Sequence, residues 1–291
     1  MNNISMKLFS LLSFLCLLSI QTSYAGGGLI PANARSSAMG NVGVMFADHY
    51  SLMNNPAGMA YWNHHSFGGS YENKFMMPEL AAMAVGINVP MFNGAMGLTA
   101  SSYGYNLYGE QNIGLAYAKI LSEQFAIGLK FNYFMINQGA EYDNFSGLVG
   151  EIGIMSSITD ELRLGAHIYN LNRAKISDYQ NERVPTIMRL GLSYQMNDKV
   201  QLCLEAEKNI DAKASIKMGM DYQALDPLFV RCGIQTNPTI LTFGFGLQWK
   251  SFMLDFSTTQ HAVLGYSPNL GLIYTFGRHS YSDSSNEGGR F

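Results

Sequence analysis

The residues that could carry out acid, base or metal chemistry are few in this chain and lie far apart. Covalent catalysis needs a nucleophile beside a base, and the adjacent Asp48 and His49 are only a weak signal of such a pair. His64 and His65 would point to opposite faces of an extended segment, which is poor geometry for chelation. The sequence therefore predicts neither a catalytic nor a metal site, and the protein is not expected to be an enzyme. The remaining histidines are His167, His261 and His279.

A glycine run near the start of the chain does not have the context of a cofactor site. Gly26, Gly27 and Gly28 lack the preceding strand and the following helix that a phosphate-binding loop requires. The run is interpreted as flexible chain. Neither a cofactor nor a nucleic-acid partner is expected.

From residue 60 onward, apolar and polar side chains alternate in runs of about ten residues. The clearest run spans 125–135, where Phe125, Ile127 and Leu129 share one face. Strands of soluble sheets average about five or six residues, whereas about 9–11 residues cross a bilayer at a tilt. The pattern predicts an all-β fold, a transmembrane antiparallel β-barrel of about fourteen strands. The predicted strands are 64–74, 79–90, 94–105, 110–121, 124–137, 145–158, 161–171, 185–195, 199–209, 213–224, 227–236, 240–249, 251–260 and 267–277.

Composition separates this class from helical membrane proteins. Charged residues make up 13% of the chain, against a usual ~25%. After residue 25, no apolar run approaches the ~18 residues of a membrane-spanning helix. The barrel is expected over residues 61–277, with tight periplasmic turns and longer extracellular loops. A polar periplasmic tail is expected over 278–291, and the longer loops are expected at 137–146, 170–185 and 260–269.

The first 25 residues have the features of a secretory signal peptide. Lys7 provides the positive charge, an apolar stretch runs from Leu8 to Ile20, and Ser23-Tyr24-Ala25 forms a cleavage site with small residues at both ends. Cleavage near Ala25 would leave a mature chain that enters the bacterial outer membrane, with outer-membrane lipid around it.

Charged side chains at the inward positions of the predicted strands balance one another in sign. A ring of one sign would indicate ion selectivity, whereas a balanced set favours ion pairs and contacts with a plug; selective permeation is the alternative. Cys203 is predicted to face the lumen and Cys232 the lipid, so two free thiols are expected. The predicted lumenal charges are Lys130, Glu151, Arg163, Arg189, Glu205, Glu207, Lys217, Asp221, Arg231 and Asp255.

Residues 26–60 differ from the strands that follow them. They are too rich in Ala, Gly and Ser for a lipid-facing strand and too apolar for a disordered tail. Small residues suit a segment that packs tightly inside another element, and glycines inside the strand patterns would leave room for it. The residues that define this segment are Arg35, Met39, Gly40, Gly43, Asp48, Asn55, Pro56, Ala57 and Gly58.

This segment carries a resemblance to a known family. The sequence ARxxAMGxxGV over residues 34–44 and the tetrapeptide NPAG over residues 55–58 resemble the FadL-like superfamily of outer-membrane proteins. Within that superfamily the chain is most similar to the PorV/PorQ family of Bacteroidetes-type bacteria. The resemblance implies that residues 26–60 form a hatch that plugs the lumen.

The resemblance also implies a function. The leading hypothesis is an accessory barrel in type IX protein secretion or in the surface handling of secreted proteins, with secreted proteins or secretion components as partners. The alternative is a FadL-type passive transporter of a small hydrophobic molecule, and a structural or adhesive barrel is a third hypothesis. Fatty-acid transporters of the superfamily usually have long, oily extracellular loops, and the charged loop over 170–185 weakens that reading. A lateral opening in the wall would lie where glycine and proline interrupt the ladder, at Gly86, Pro90, Gly94 and Gly97.

Overall fold

Fourteen antiparallel strands close into a barrel in this structure, a computed structural model that describes residues 33–105, 107–139, 144–175 and 183–277. Each strand pairs with its neighbours in sequence, and the first strand pairs with the last. Closure leaves no sheet edge, so the strands satisfy one another's backbone hydrogen bonds. The prediction of a fourteen-stranded antiparallel barrel is confirmed. The predicted signal peptide and polar tail lie outside the described residues.

The strands are eight to fifteen residues long, and most connections between them are short, except the loop between Tyr169 and Ile187. Within the described residues, two one-turn helices and a 3-10 helix precede them, and two short 3-10 turns follow the first strand. The helices are α1 (Ala34–Ala38), α2 (Ser51–Asn54), and the 3-10 segments Pro56–Tyr61, Lys74–Met76 and Pro78–Leu80. The strands are β1 (Ser66–Asn73), β2 (Ala81–Met91), β3 (Gly94–Tyr105), β4 (Tyr108–Ser122), β5 (Phe125–Asn137), β6 (Phe145–Ser157), β7 (Leu162–Tyr169), β8 (Ile187–Asn197), β9 (Val200–Asn209), β10 (Ser215–Leu225), β11 (Leu228–Gln235), β12 (Ile240–Trp249), β13 (Phe252–His261) and β14 (Gly265–Thr275).

The outer face of the wall is apolar and the inner face is polar or small. Along β12, Phe243 and Phe245 are 55% and 45% exposed on the outside, while Thr242 is fully buried inside. This alternation is that of an outer-membrane β-barrel, whose strands present apolar side chains to lipid. Among the described residues, no helix combines the length and the apolar character needed to cross a membrane.

One predicted extracellular loop is wrong. The sequence predicts a long loop over 260–269. In the structure β13 continues to His261 and β14 begins at Gly265, so the connection is short. His261 Nδ1 accepts backbone hydrogen bonds from Val263 and Leu264, both at 3.2 Å. Gly265 has a positive φ of 88°, which glycine adopts without strain. His261 and Gly265 therefore form a tight turn between the two strands. The apolar/polar alternation of the sequence does not predict this turn.

The described part of the hatch lies in the lumen. Two of its helices are capped by asparagines: Asn33 Oδ1 accepts a hydrogen bond from the Ser36 N–H at 2.6 Å at the start of α1, and Asn55 caps the 3-10 helix that begins at Pro56. Asparagine is a favoured N-cap and proline a favoured first residue. The hatch side chains are mostly buried, and the final 3-10 helix carries the chain to the start of β1.

The outward position of Phe243 gives the first testable expectation. Phe243→Arg places a charge on the lipid face and should destabilise the barrel in a bilayer by about 2–4 kcal/mol. The matched control is Leu225→Arg, since Leu225 is exposed at the periplasmic end of β10 and a charge near the interface costs only about 0–1 kcal/mol. Urea-induced unfolding in lipid vesicles measures both. Equal stability of the two variants would contradict the facing and depth given to β12.

Candidate functional site: the hatch and the inner wall

The inner wall approaches the hatch so closely that glycine is needed at many contact points. A methyl group on Gly153 would overlap the Asn55 side chain, and one on Gly165 would overlap the carbonyl oxygen of Val44. Any larger residue at these points would push the hatch off the wall. The wall glycines at which an added Cβ would lie under 3.0 Å from a hatch atom are Gly68, Gly86, Gly97, Gly128, Gly153, Gly165, Gly191, Gly219, Gly233, Gly244 and Gly271.

Asn55 fixes the hatch to the wall. Its Nδ2 donates to the carbonyl oxygen of Val44 at 2.7 Å and to that of Ile154 on β6 at 3.1 Å. Its Oδ1 accepts from the Ala57 N–H at 3.1 Å. One fully buried side chain therefore joins two parts of the hatch to a strand, which gives the NPAG tetrapeptide a structural role.

Glu205 on β9 holds the middle of the hatch. Its Oε2 accepts hydrogen bonds from the backbone N–H groups of Gly43 at 2.8 Å and Val44 at 2.9 Å. Lys217 Nζ lies 3.3 Å from Oε1 of the same carboxylate and donates to the Asn41 carbonyl oxygen at 3.2 Å. These charge-assisted bonds compensate a carboxylate that is fully buried. The hatch backbone reaches the Glu205 carboxylate because the hatch lies close to the inner wall.

A chain of charges joins the hatch to β10, β11 and β13. Arg35 pairs with Asp48 inside the hatch, and its Nη2 lies 3.2 Å from Asp221 Oδ2 on β10. Arg231 donates from Nε to Asp221 at 3.0 Å and also pairs with Asp255. Removal of Arg231 would leave the fully buried Asp255 without its ion-pair partner, which is strongly destabilising. This side of the hatch is therefore held by interlocked ion pairs.

A second polar network lies on β5 to β8. Glu151 lies 3.7 Å from Lys130 Nζ and 2.9 Å from His167 Nε2. Arg189 Nη2 lies 3.1 Å from His167 Nδ1. A guanidinium can only donate, so Nδ1 accepts, and Nε2 carries the proton that is donated to Glu151. Lys130 also donates to the Leu52 carbonyl oxygen at 3.0 Å, which ties this network to the hatch.

The structure places the charges predicted for the lumen on the inner face, most of them in these networks. Glu207 pairs with Lys217 at 2.6 Å, and Arg163 donates to Ser157 Oγ at 3.4 Å. Uncharged wall residues also bind the hatch, and the sequence does not identify them. Neutral polar residues occupy inward positions all along the strands, so those that contact the hatch do not stand out. These residues are Ser66, Gln201, Gln235, Thr242 and Asn269.

On the opposite side, the hatch meets β3, β4 and β5 mainly through apolar atoms. A Cβ added to Gly97 would lie 2.7 Å from the Met59 Cε atom and would collide with Leu52. The alanines of these strands present methyl groups to the same side chains. We call this contact the apolar seam; it consists of Leu52, Met59 and Ala60 of the hatch with Ala95, Ala116, Ala118 and Ala126 of the wall.

The four positions predicted for a lateral opening fall into two groups. Gly86 and Gly97 face the hatch, where both would contact Leu52 if they carried a Cβ. Pro90 and Gly94 flank the hairpin between β2 and β3, and the ladder there shows no register shift. The wall is therefore closed at this point, and an opening stays a prediction. Pro90 and Gly94 instead border a cavity of about 400 Å³ at the periplasmic end of the apolar seam, together with Ala60, Tyr61 and Ile120.

His49, the histidine beside an acid in the sequence, has a packing role. Its Nδ1 lies 2.8 Å from Ser66 Oγ on β1, and that hydroxyl also accepts from Trp62 Nε1 at 3.0 Å. Burial lowers the pKa of His49 to about 4, so the ring is neutral at neutral pH. Asp48 pairs with Arg35. Across the described residues, no group of three or more His, Cys, Asp or Glu could hold a metal ion.

Several solved structures have a similar fold. They include the toluene transporter TbuX of Ralstonia pickettii (TM-score 0.64, 12% identity, 87% of this chain and 99% of that chain) and the toluene transporter TodX of Pseudomonas putida (0.65, 10%, 87% and 99%). A FadL homologue of Pseudomonas aeruginosa is also similar (0.55, 13%, 86% and 98%). No protein-family model and no curated protein matches the sequence. The fold of this chain is therefore similar to that of these transporters and of the FadL homologue.

The close packing of the hatch gives a second expectation. Gly165→Ala should displace Val44 and weaken the seating of the hatch by about 1–3 kcal/mol, the usual range for overpacking. The readout is Cys203, which is 4% exposed beneath the hatch, whereas Cys232 faces outward on β11. A water-soluble maleimide should label Cys203 faster in Gly165→Ala than in the wild type.

Gly109→Ala is the control for this experiment, because an added Cβ there would meet no atom closer than 3.5 Å. Its labelling rate should match that of the wild type. Equal labelling of Cys203 in all three proteins would contradict the tight fit of hatch and wall.

Proposed function

We propose that this chain is a passive transporter of small hydrophobic molecules across the outer membrane. In this proposal the hatch, whose described residues pack against the inner wall, closes the lumen, so transport requires part of it to move. The protein has no catalytic step in this proposal, which agrees with neighbours that are transporters or channels.

The observation that carries the proposal is the unequal attachment of the hatch. Toward β9 to β13 it is held by ion pairs and by carboxylate contacts such as that of Glu205. Toward β3 to β5 it is held mainly by the apolar seam. Small apolar molecules can replace apolar contacts at little cost, whereas breaking a buried ion pair is expensive. Movement of α2 and of the 3-10 helix on either side of Asn55, with Asn55 itself still bound to β6, would open a methyl-lined path to the periplasmic cavity.

The secretion hypothesis has less support. It rests on the N-terminal motif, and the similar structures named above are described as transporters of toluene or as a FadL homologue. In the described ends of the charged loop over 170–185, Val184 folds inward and packs with Phe134 and Tyr169.

An uptake assay with matched hatch variants tests the transport proposal. Leu52→Ala removes a side chain from the apolar seam and should raise the uptake of labelled toluene several-fold in cells that carry the protein. Met45→Ala is the control, since Met45 is equally buried but packs at Gly191 on the other side of the hatch. Each change should cost about 2–5 kcal/mol, so a general loss of stability would affect both alike.

The transport proposal also predicts a result for the wild-type protein. Cells with the protein should take up toluene faster than cells with an empty vector. Absence of this difference, or an equal gain in Leu52→Ala and Met45→Ala, would contradict transport along the apolar seam.

A further inference from the structure

At the apolar seam, the hatch receives a hydrogen bond from Lys130 of β5. Lys130 Nζ donates to the Leu52 carbonyl oxygen, which lies in α2, at 3.0 Å. In a continuing helix that carbonyl would accept from the backbone N–H four residues later. The residue at that position is Pro56, which has no N–H. The proline of the NPAG tetrapeptide therefore leaves the Leu52 carbonyl oxygen to Lys130.

Lys130 can exchange this hydrogen bond without losing its ion-pair partner. Its Nζ lies 3.7 Å from Glu151 Oε1 on β6, and both side chains are buried. An ammonium group has three donor hydrogens, so the Leu52 carbonyl and the carboxylate need not share one. Replacing the carbonyl oxygen by another neutral acceptor therefore breaks no buried ion pair, whereas detachment of Arg35 from Asp221 does.

A buried acceptor without a donor lies beside Lys130. Asn132 of β5 is fully buried, and its Nδ2 donates to Glu151 Oε1. Because a carboxylate accepts but does not donate, this bond fixes the orientation of the amide and leaves Oδ1 on the other side. Asn132 Oδ1 has no hydrogen-bond partner among the described residues. An unpaired buried acceptor is costly, so a ligand that donates to this oxygen is favoured.

The donor and the acceptor converge on one point of the wall, Gly114 of β4. A Cβ added to Gly114 would lie under 3.0 Å from Lys130 Cε, from Asn132 Oδ1 and from Thr99 Oγ1. Gly114 is the next inward position on β4 after Ala116 of the apolar seam. The apolar seam therefore ends, toward the extracellular side, at a polar site that can both donate and accept a hydrogen bond.

We propose that Lys130 and Asn132 recognise the hydroxyl group of a small apolar alcohol or phenol, which displaces the Leu52 carbonyl oxygen and so releases α2. The hydroxyl oxygen accepts from Lys130 Nζ, and its hydrogen is donated to Asn132 Oδ1. The apolar body of the molecule lies along the apolar seam. A hydrocarbon makes neither bond, and a carboxylate anion would face the like charge of Glu151. The inference rests on the proposed transport function and narrows its substrate class.

Uptake of p-cresol and p-xylene tests this recognition, because the two molecules differ by a hydroxyl group in place of a methyl group of similar size. Protein-dependent uptake is the rate in cells that carry the protein minus the rate in vector cells. In the wild type it should be about fivefold faster for p-cresol at equal low concentration, the gain expected from one net hydrogen bond. Asn132→Leu keeps the size of the side chain but removes Oδ1, and should lower this ratio to about twofold or less.

Asn269→Leu is the matched control. Asn269 on β14 is also buried, and its Oδ1 likewise has no partner among the described residues. Its Nδ2 donates to Ser37 of α1 at 3.2 Å, outside the apolar seam. The same substitution at this position should leave the ratio of the two uptake rates at the wild-type value, whatever its effect on the total rate.

Hydrogen exchange in lipid vesicles shows whether the hydroxyl group releases α2, since exchange reports local opening. At equal concentration in the membrane, p-cresol should speed exchange over residues 51–61 of the wild type more than p-xylene does. The two ligands should act alike in Asn132→Leu. The wild-type comparison stands by itself if a variant does not insert.

The outcomes separate the two proposals. Protein-dependent uptake of both probes without a preference for p-cresol would overturn hydroxyl recognition and leave transport intact. An unchanged preference in Asn132→Leu, or an equal loss of it in Asn132→Leu and Asn269→Leu, would also overturn it, as would equal exchange over 51–61 with either ligand in the wild type. Failure of the wild type to take up either probe above the vector rate would contradict transport, and the recognition with it.

Discussion

Close contact between the hatch backbone and the glycines of the inner wall is the constraint on which the other features of the molecule depend. A barrel of about eight strands can be filled by its own side chains, and wider barrels leave an open lumen. Here the hatch fills that space, and points such as Gly153 and Gly165 admit its backbone to the wall. Only at this short range can Glu205 accept hydrogen bonds from two hatch N–H groups.

The contact is uneven in its chemistry, and this unevenness connects the fold to the proposed transport. Arg35 of the hatch pairs with Asp221, which also binds Arg231 of the wall, so that side of the hatch is costly to detach. Leu52 and Met59 lie against methyl groups and glycine, where an apolar molecule can take their place. The same barrel can thus keep most of its plug fixed while one edge yields. The closed wall agrees with an opening at this edge of the hatch.

The alternation of side chains was sufficient to predict the strands, because the bilayer requires one apolar face on each of them. It also placed charged residues such as Lys217 on the inner face, where the structure has them. The alternation did not predict the short turn within 260–269, because the hydrogen bonds that His261 accepts there do not depend on a periodic pattern of side chains. The alternation could not predict which inward residue contacts which hatch atom. Inward serine, threonine and glycine cannot be distinguished in sequence until the path of the hatch is known, and Thr242 and Gly244 are examples.

Hydrogen exchange of the hatch amides in lipid vesicles, with and without toluene, tests the central claim most directly, since exchange reports local opening. If one edge of the hatch yields to an apolar ligand, toluene should speed exchange in peptides covering residues 51–61. Exchange over residues 36–44, which are held by Glu205 and its partners, should stay slow. Faster exchange over 36–44 than over 51–61, or no change in either, would contradict the account.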